Sequence, residues 1–164
     1  MKVSPILKVD RFAQIVPGEL FLIQIGQHSL VALRAADEES DKLMVVLGPN
    51  SNEQFPPGTL IEYQSSTVVS FGSEFAVQLP IAPDEWTTEE PEVGITPLIL
   101  AEGELYVRCI FTGYGRAVRG LVNMKNGRVS FNNNPRVAAY ALNWELLVAD
   151  AKGELRRVVA NGKV

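Results

Sequence analysis

Turn-forming residues recur at short intervals along the whole chain, and the segments between them are rich in Val, Leu, Ile, Phe and Tyr. This spacing leaves no room for a long amphipathic helix and is the mark of consecutive antiparallel strands. Ile25-Gly26-Gln27-His28 and Phe71-Gly72-Ser73-Glu74 each place Gly first in a two-residue loop, where a type II′ turn needs a positive φ. Asn123-Met124-Lys125-Asn126-Gly127 ends in Asn-Gly between two apolar pairs and predicts a third hairpin. Asp150-Ala151-Lys152-Gly153, with its late Gly, suits a type I turn followed by a bulge.

Strands are predicted near residues 19–25, 29–35, 42–47, 59–64, 67–71, 74–79, 104–112 and 116–122, followed by short ones about Val129 and over residues 144–149 and 154–160. Residues 20–25 and 43–47 are apolar on both alternating faces, apart from Gln24, which suggests central strands covered on both sides. One segment has two readings. Asn134-Pro135 ahead of Val137-Ala138-Ala139 could cap and open a short helix, whereas the alternation of Tyr140, Leu142, Trp144, Leu146 and Val148 favours a strand from about Tyr140. The expected fold is all-β, an antiparallel barrel or sandwich of about ten to thirteen short strands, with at most one short helix near residues 134–142.

A chain of 164 residues can bury a sizeable core as one unit. Residues 81–96 interrupt the strand pattern with prolines and with Asp84, Glu85, Glu89, Glu90 and Glu92, so they read as an acidic surface loop. An alternative organisation is two β lobes, residues 1–80 and 97–164, joined by that loop. The repeat of Gly18-Glu19-Leu20-Phe21 in Gly103-Glu104-Leu105-Tyr106 is the feature that suggests it. The first residues carry no apolar stretch of secretory type, no run is long enough for a membrane span, and one cysteine allows no internal disulfide. The expected compartment is the cytoplasm.

Charge is unevenly distributed. Residues 1–104 hold 5 Lys or Arg against 16 Asp or Glu, and residues 105–164 hold 10 against 3. If Leu105, Val107, Cys109 and Phe111 face the core, then Tyr106 and Arg108 face outward, and Arg119 and Arg128 join them from the next two strands. Arg116 lies at the end of the same surface, with Lys125 and Arg136. Guanidinium forks suit carboxylate or phosphate, and an aromatic ring can stack on a base. The bland reading of the same pattern is an ordinary solvated sheet face that receives the chain's own acids.

Catalytic signals are sparse. His28, the one histidine, falls at a predicted turn, and Cys109 falls on a core-facing position where a thiol is inert. One His and one Cys cannot build a structural zinc site, and the acids of residues 84–92 match no calcium-loop spacing. Gly113-Tyr114-Gly115 is an isolated G-x-G between strands, short of a phosphate-binding loop.

The sequence therefore points to a non-enzymatic binding or interaction module. Its candidate binding residues are Tyr106, Arg108, Arg116, Arg119 and Arg128, directed at an anionic protein partner or at a second copy of the chain. No cofactor, metal or membrane is expected, and nucleic acid is not the favoured partner in a chain of pI ≈ 5.1. A second reading is an inhibitor or immunity-type protein that docks a basic partner through residues 84–92, with Trp86 as anchor. A third is a small-molecule enzyme working through carboxylates and Arg, or through His28 with Ser29.

Overall fold

A computed structural model describes residues 8–49, 51–63, 67–91, 96–113, 116–131, 135–150 and 152–161, with the side chains of residues 113, 116 and 161 outside the described set. In chain order the strands are β1 Lys8–Arg11, β2 Leu20–Ile25, β3 His28–Ala35, β4 Leu43–Gly48, β5 Thr59–Glu62, β6 Thr67–Gly72, β7 Phe75–Gln78, β8 Trp86–Thr87, β9 Leu98–Ala101, β10 Glu104–Gly113, β11 Arg116–Asn123, β12 Val129–Ser130, β13 Val137–Ala141, β14 Trp144–Ala149 and β15 Leu155–Asn161. Two 3₁₀ turns, Phe12–Gln14 and Pro83–Glu85, are the helical elements among the described residues. None is long or apolar enough to cross a membrane.

The expectation of an all-β fold holds in a sandwich-like form. Twelve strands form one sheet in the order β1-β6-β2-β3-β4-β5-β10-β9-β13-β8, with β11 beside β10 and β12 beside β11. β15-β14-β7 form a second sheet. Among the described residues neither closes into a barrel, although one bridge between Ala36 and Arg128 ties β12 to the end of β3. The strand count exceeds the sequence expectation because short pieces such as the two-residue β8 pair only through distant neighbours, which local alternation does not reveal.

The small sheet packs its inner face on the large one. Trp144, Leu146 and Val148 from β14 and Val159 from β15 meet Leu20, Leu33, Val45, Leu47, Val107 and Cys109 in a single core. β2, β3 and β4 are buried on their other face as well, as the two-sided apolar pattern of residues 20–25 and 43–47 implied for β2 and β4. Phe21, Ile23, Leu30, Ala32, Met44 and Val46 form a second cluster, joined by Phe12, Ile15 and Phe55. Burying both sides of these strands explains why they carry so few polar residues.

Three of the four predicted turns join paired strands. Gly26 has φ +58° between Ile25 and His28, which face each other across β2 and β3. Gly127 has φ +68°, and its N–H donates to the Asn123 carbonyl at 2.9 Å within the loop from β11 to β12. In the loop from β14 to β15, Gly153 has φ +83° and donates its N–H to the Asp150 carbonyl at 2.9 Å. The fourth is corrected. Gly72 has φ +80°, but β6 pairs with β1 and β2 while β7 pairs with β14, so Gly72 turns the chain from one sheet to the other instead of folding a hairpin.

The short helix left open near residues 134–142 does not form among the described residues, and the strand favoured there begins at Val137, ahead of Tyr140. Val137–Ala141 is β13, held by ladders to β9 on one side and β8 on the other. Two flanking strands satisfy its backbone groups, which overrides the local capping signal of Pro135. Asn134 lies outside the described residues.

Candidate functional site

The long strand β10 alternates sharply. Val107 and Cys109 are fully buried in the main core, while Tyr106, Arg108 and Ile110 point to the opposite side. Along β11 the residues facing these three are Asn123, Leu121 and Arg119 in turn. Directly opposed residues share a face, so Arg119 belongs to the surface of Tyr106 and Arg108. Arg128 follows across the next pairing, where its carbonyl accepts the Asn123 N–H at 3.0 Å. The side chain of Arg116 lies outside the described residues, although its backbone faces Gly113 in the ladder. Val118 faces Phe111, on the parity of the core-facing residues, but lies near the end of the hairpin and is 40% exposed.

This outer face is not an open charged surface. Ile99, Ala101, Leu121 and Tyr140 form a third apolar cluster on it, flanked by Tyr106 and Val137. Arg108 lies over this cluster with its guanidinium carbon 5.9 Å from the centre of the Tyr140 ring. Its Nη2 is 3.1 Å from Glu90 Oε1, and its side chain is 20% exposed. The Tyr106 hydroxyl donates to Glu104 Oε2 at 3.2 Å. Arg128 stands 3.8 Å from Glu38, with both side chains largely in solvent. Arg119 is exposed and makes no ion pair or side-chain hydrogen bond among the described residues.

The separation of charge along the sequence is thus partly cancelled in space. Glu38 and Glu90 come from the acidic portion, and each meets an arginine of the basic portion. Within the basic portion, Arg156 pairs with Asp150 and Glu154, and Arg157 with Glu145. The hydrogen bond from Arg156 holds the Asp150 carboxyl below its ordinary pKa.

The acidic segment is tied down by its own apolar anchor. The Trp86 indole N–H donates to the Pro80 carbonyl at 3.0 Å, its ring packs against the main core, and β8 pairs with β13. Asn143 donates to Glu85 Oε1 at 2.7 Å, fastening the preceding turn. A shallow open groove beside this segment is lined by Pro83, Trp86, Thr87, Thr88, Glu89 and Ala139. Glu92 of the predicted acidic run lies outside the described residues.

The remaining reactive groups are dispersed. His28 is half-buried, with its ring edge-on to Phe55 at 5.7 Å between centroids, and Ser29 donates to Gln24 at 2.6 Å. Burial pushes the Cys109 thiol up to about 12, so it is protonated and unreactive at neutral pH. No group of three or more His, Cys, Asp or Glu among the described residues is placed to hold a metal ion. Comparison of the chain with protein-family models, curated proteins and solved structures finds no match.

The sequence reading missed the role of Tyr140 as the ring beneath Arg108. Alternation grouped Tyr140 with Trp144 and Leu146, but β13 and β14 belong to different sheets, so the parity does not carry through Leu142-Asn143.

Proposed function

We propose that the chain is a non-enzymatic interaction module that docks an acidic segment of a protein partner on the outer face of β10 and β11. The observation that carries this reading is Arg119, exposed, without a carboxylate partner among the described residues, and directly across the ladder from Ile110, itself 39% exposed. Arginine is among the residues enriched where binding energy concentrates at protein interfaces, and the accessible Ile110 beside it adds apolar area that association can bury. A guanidinium offers a planar fork to a carboxylate and supplies direction as well as charge. Arg108 and Arg128 extend the same surface on either side.

The test uses a fluorescein-labelled dodecaglutamate peptide and the full chain, read by fluorescence anisotropy at low and moderate salt. Binding that weakens with salt and falls by roughly fivefold or more in Arg119→Ser supports the reading. Absence of binding, or binding indifferent to Arg119→Ser, overturns it. Sizing of the free protein at several concentrations shows whether a second copy is the occupant.

A further inference from the structure

We infer that the Arg108 guanidinium, seated over Tyr140, is a carboxylate-binding position for an acidic partner, and that the chain's own Glu90 fills it as an internal competitor. This inference rests on the acidic-partner reading above and adds to it the place where a partner carboxylate binds and what it must displace.

The seat is built. Arg108 is held at a strand position fixed by Leu121 across the ladder, and its side chain is four-fifths buried over the cluster of Ile99, Leu121 and Tyr140. An aromatic face beneath a guanidinium holds the fork in one orientation and leaves its N–H edge directed outward. Glu90 meets that edge at 3.1 Å, yet its own side chain is 58% exposed. The burial of the two partners therefore differs greatly: the arginine belongs to the sheet, while the carboxylate approaches from solvent. Because the carboxylate side of the pair is open to solvent, Glu90 can swing away and another carboxylate can take its place, while the largely buried guanidinium keeps its need for a partner.

The chemistry of the occupant follows from what the position already holds. Glu90 follows Glu89 and precedes Pro91 in a run of acids, so the natural ligand of Arg108 is a glutamate or aspartate carried on an acidic chain. An incoming acidic segment that reaches Arg119 and Ile110 lies diagonally adjacent to Arg108 on the same face. It can place one carboxylate on Arg119 at once, but must expel Glu90 to place a second on Arg108. Competition from an attached group lowers the apparent affinity of any partner using the same position.

The experiment measures dodecaglutamate binding by anisotropy for the wild-type chain, Glu90→Gln, Glu89→Gln and the double variant Glu90→Gln with Arg108→Ser. Glu89→Gln removes the same unit of charge from the same segment without freeing Arg108, since Glu89 forms no ion pair among the described residues. The expected result is a two- to fivefold tighter Kd for Glu90→Gln, about the size of an exposed ion pair. Glu89→Gln should gain clearly less, and the double variant should lose the gain. Equal gains in Glu90→Gln and Glu89→Gln, or a gain that survives loss of Arg108, overturn the competitor role while leaving the acidic-partner reading to stand on its Arg119 dependence. Absence of binding in all four proteins overturns both.

Discussion

Gly127 and Arg34 share a backbone contact that joins the β11–β12 loop to the first part of the sheet. The Arg34 carbonyl accepts the Gly18 N–H at 2.9 Å, and a Cβ built on Gly127 would collide with that same carbonyl oxygen and with the Gly18 nitrogen. Beside it, the Ala36 N–H donates to the Gly127 carbonyl at 3.0 Å and the Val129 N–H to the Ala36 carbonyl at 2.8 Å. The loop tip thus serves as the third wall of a junction between β2, β3 and β12.

Gly127→Ala should therefore be among the more damaging glycine substitutions in the chain. It combines a positive φ of +68° with a steric overlap against backbone that cannot swing aside. The two effects together cost about 2–4 kcal/mol. Gly26→Ala is the control, because Gly26 has a φ of +58° but nothing within 4 Å of the added methyl. It should lose about 1–2 kcal/mol. Urea unfolding of the two variants gives the comparison, and equal losses would show that the close approach at Gly127 carries no weight.

Arg34 contributes a second test through its side chain. It is 4% exposed, its Nε donates to the Ile15 carbonyl and its Nη1 to the Leu43 carbonyl at 3.3 Å each, and its guanidinium carbon lies 4.0 Å from the Phe12 ring centre. Burial pushes its pKa down and the charge of Asp41 opposes that shift. Arg34→Lys keeps the charge but loses the planar fork and the flat contact with Phe12, so stability should fall by roughly 1–3 kcal/mol. Faster hydrogen exchange at the Ile15 N–H, which donates to the Phe12 carbonyl, should accompany the loss, since Arg34 fastens that turn to the sheet.

Turn chemistry was legible where a glycine and its neighbours decide the outcome locally, as at Gly26 and Gly153. It misled at Gly72, where the same letters serve a crossing between sheets, because the identity of a strand's partner is set by distant residues. The turn at Glu102-Gly103 went unread for the opposite reason. Glu102 takes φ +52°, a conformation that its side chain does not advertise, and β9 and β10 pair tightly around it. At the candidate site, alternation along β10 and β11 gave the shared face of Tyr106, Arg108 and Arg119. It could not give the ion pair of Arg108 with Glu90, which depends on where an irregular segment folds back.

Cys109 makes stability depend on alkaline pH. Its thiol titrates at an ordinary 9.0 when exposed and at about 12 in the fold, because burial opposes the thiolate. Below pH 9 both states hold the proton and the group adds no pH dependence. Between about 9 and 12 the unfolded state loses its proton while the folded state keeps it, so stability falls with rising pH, on the order of 1.4 kcal/mol per unit from this group. Denaturant unfolding from pH 8 to 10.5 should show a shallower decline in Cys109→Ala than in the wild type. Parallel slopes would mean that the thiol is more accessible than its position opposite Gly120 implies.

Trp86 should act on stability before it acts on recognition. Its ring lies against the core, its N–H is bonded to the Pro80 carbonyl at 3.0 Å, and its backbone faces Ala141 at the edge of the large sheet. Trp86→Phe keeps most of the apolar contact and loses the hydrogen bond, which costs about 1 kcal/mol. Trp86→Ala also opens the space beneath residues 83–89, and the loss should rise to about 2–3 kcal/mol, below the range of a fully buried tryptophan because this one is only partly buried. Urea midpoints for the two variants resolve the steps. The dodecaglutamate affinity offers an independent reading: because the Arg119 surface is carried by β10 and β11, it should change little in Trp86→Phe. A Trp86→Ala variant as stable as the wild type would instead show that the indole is not committed to the fold and is free to meet a partner.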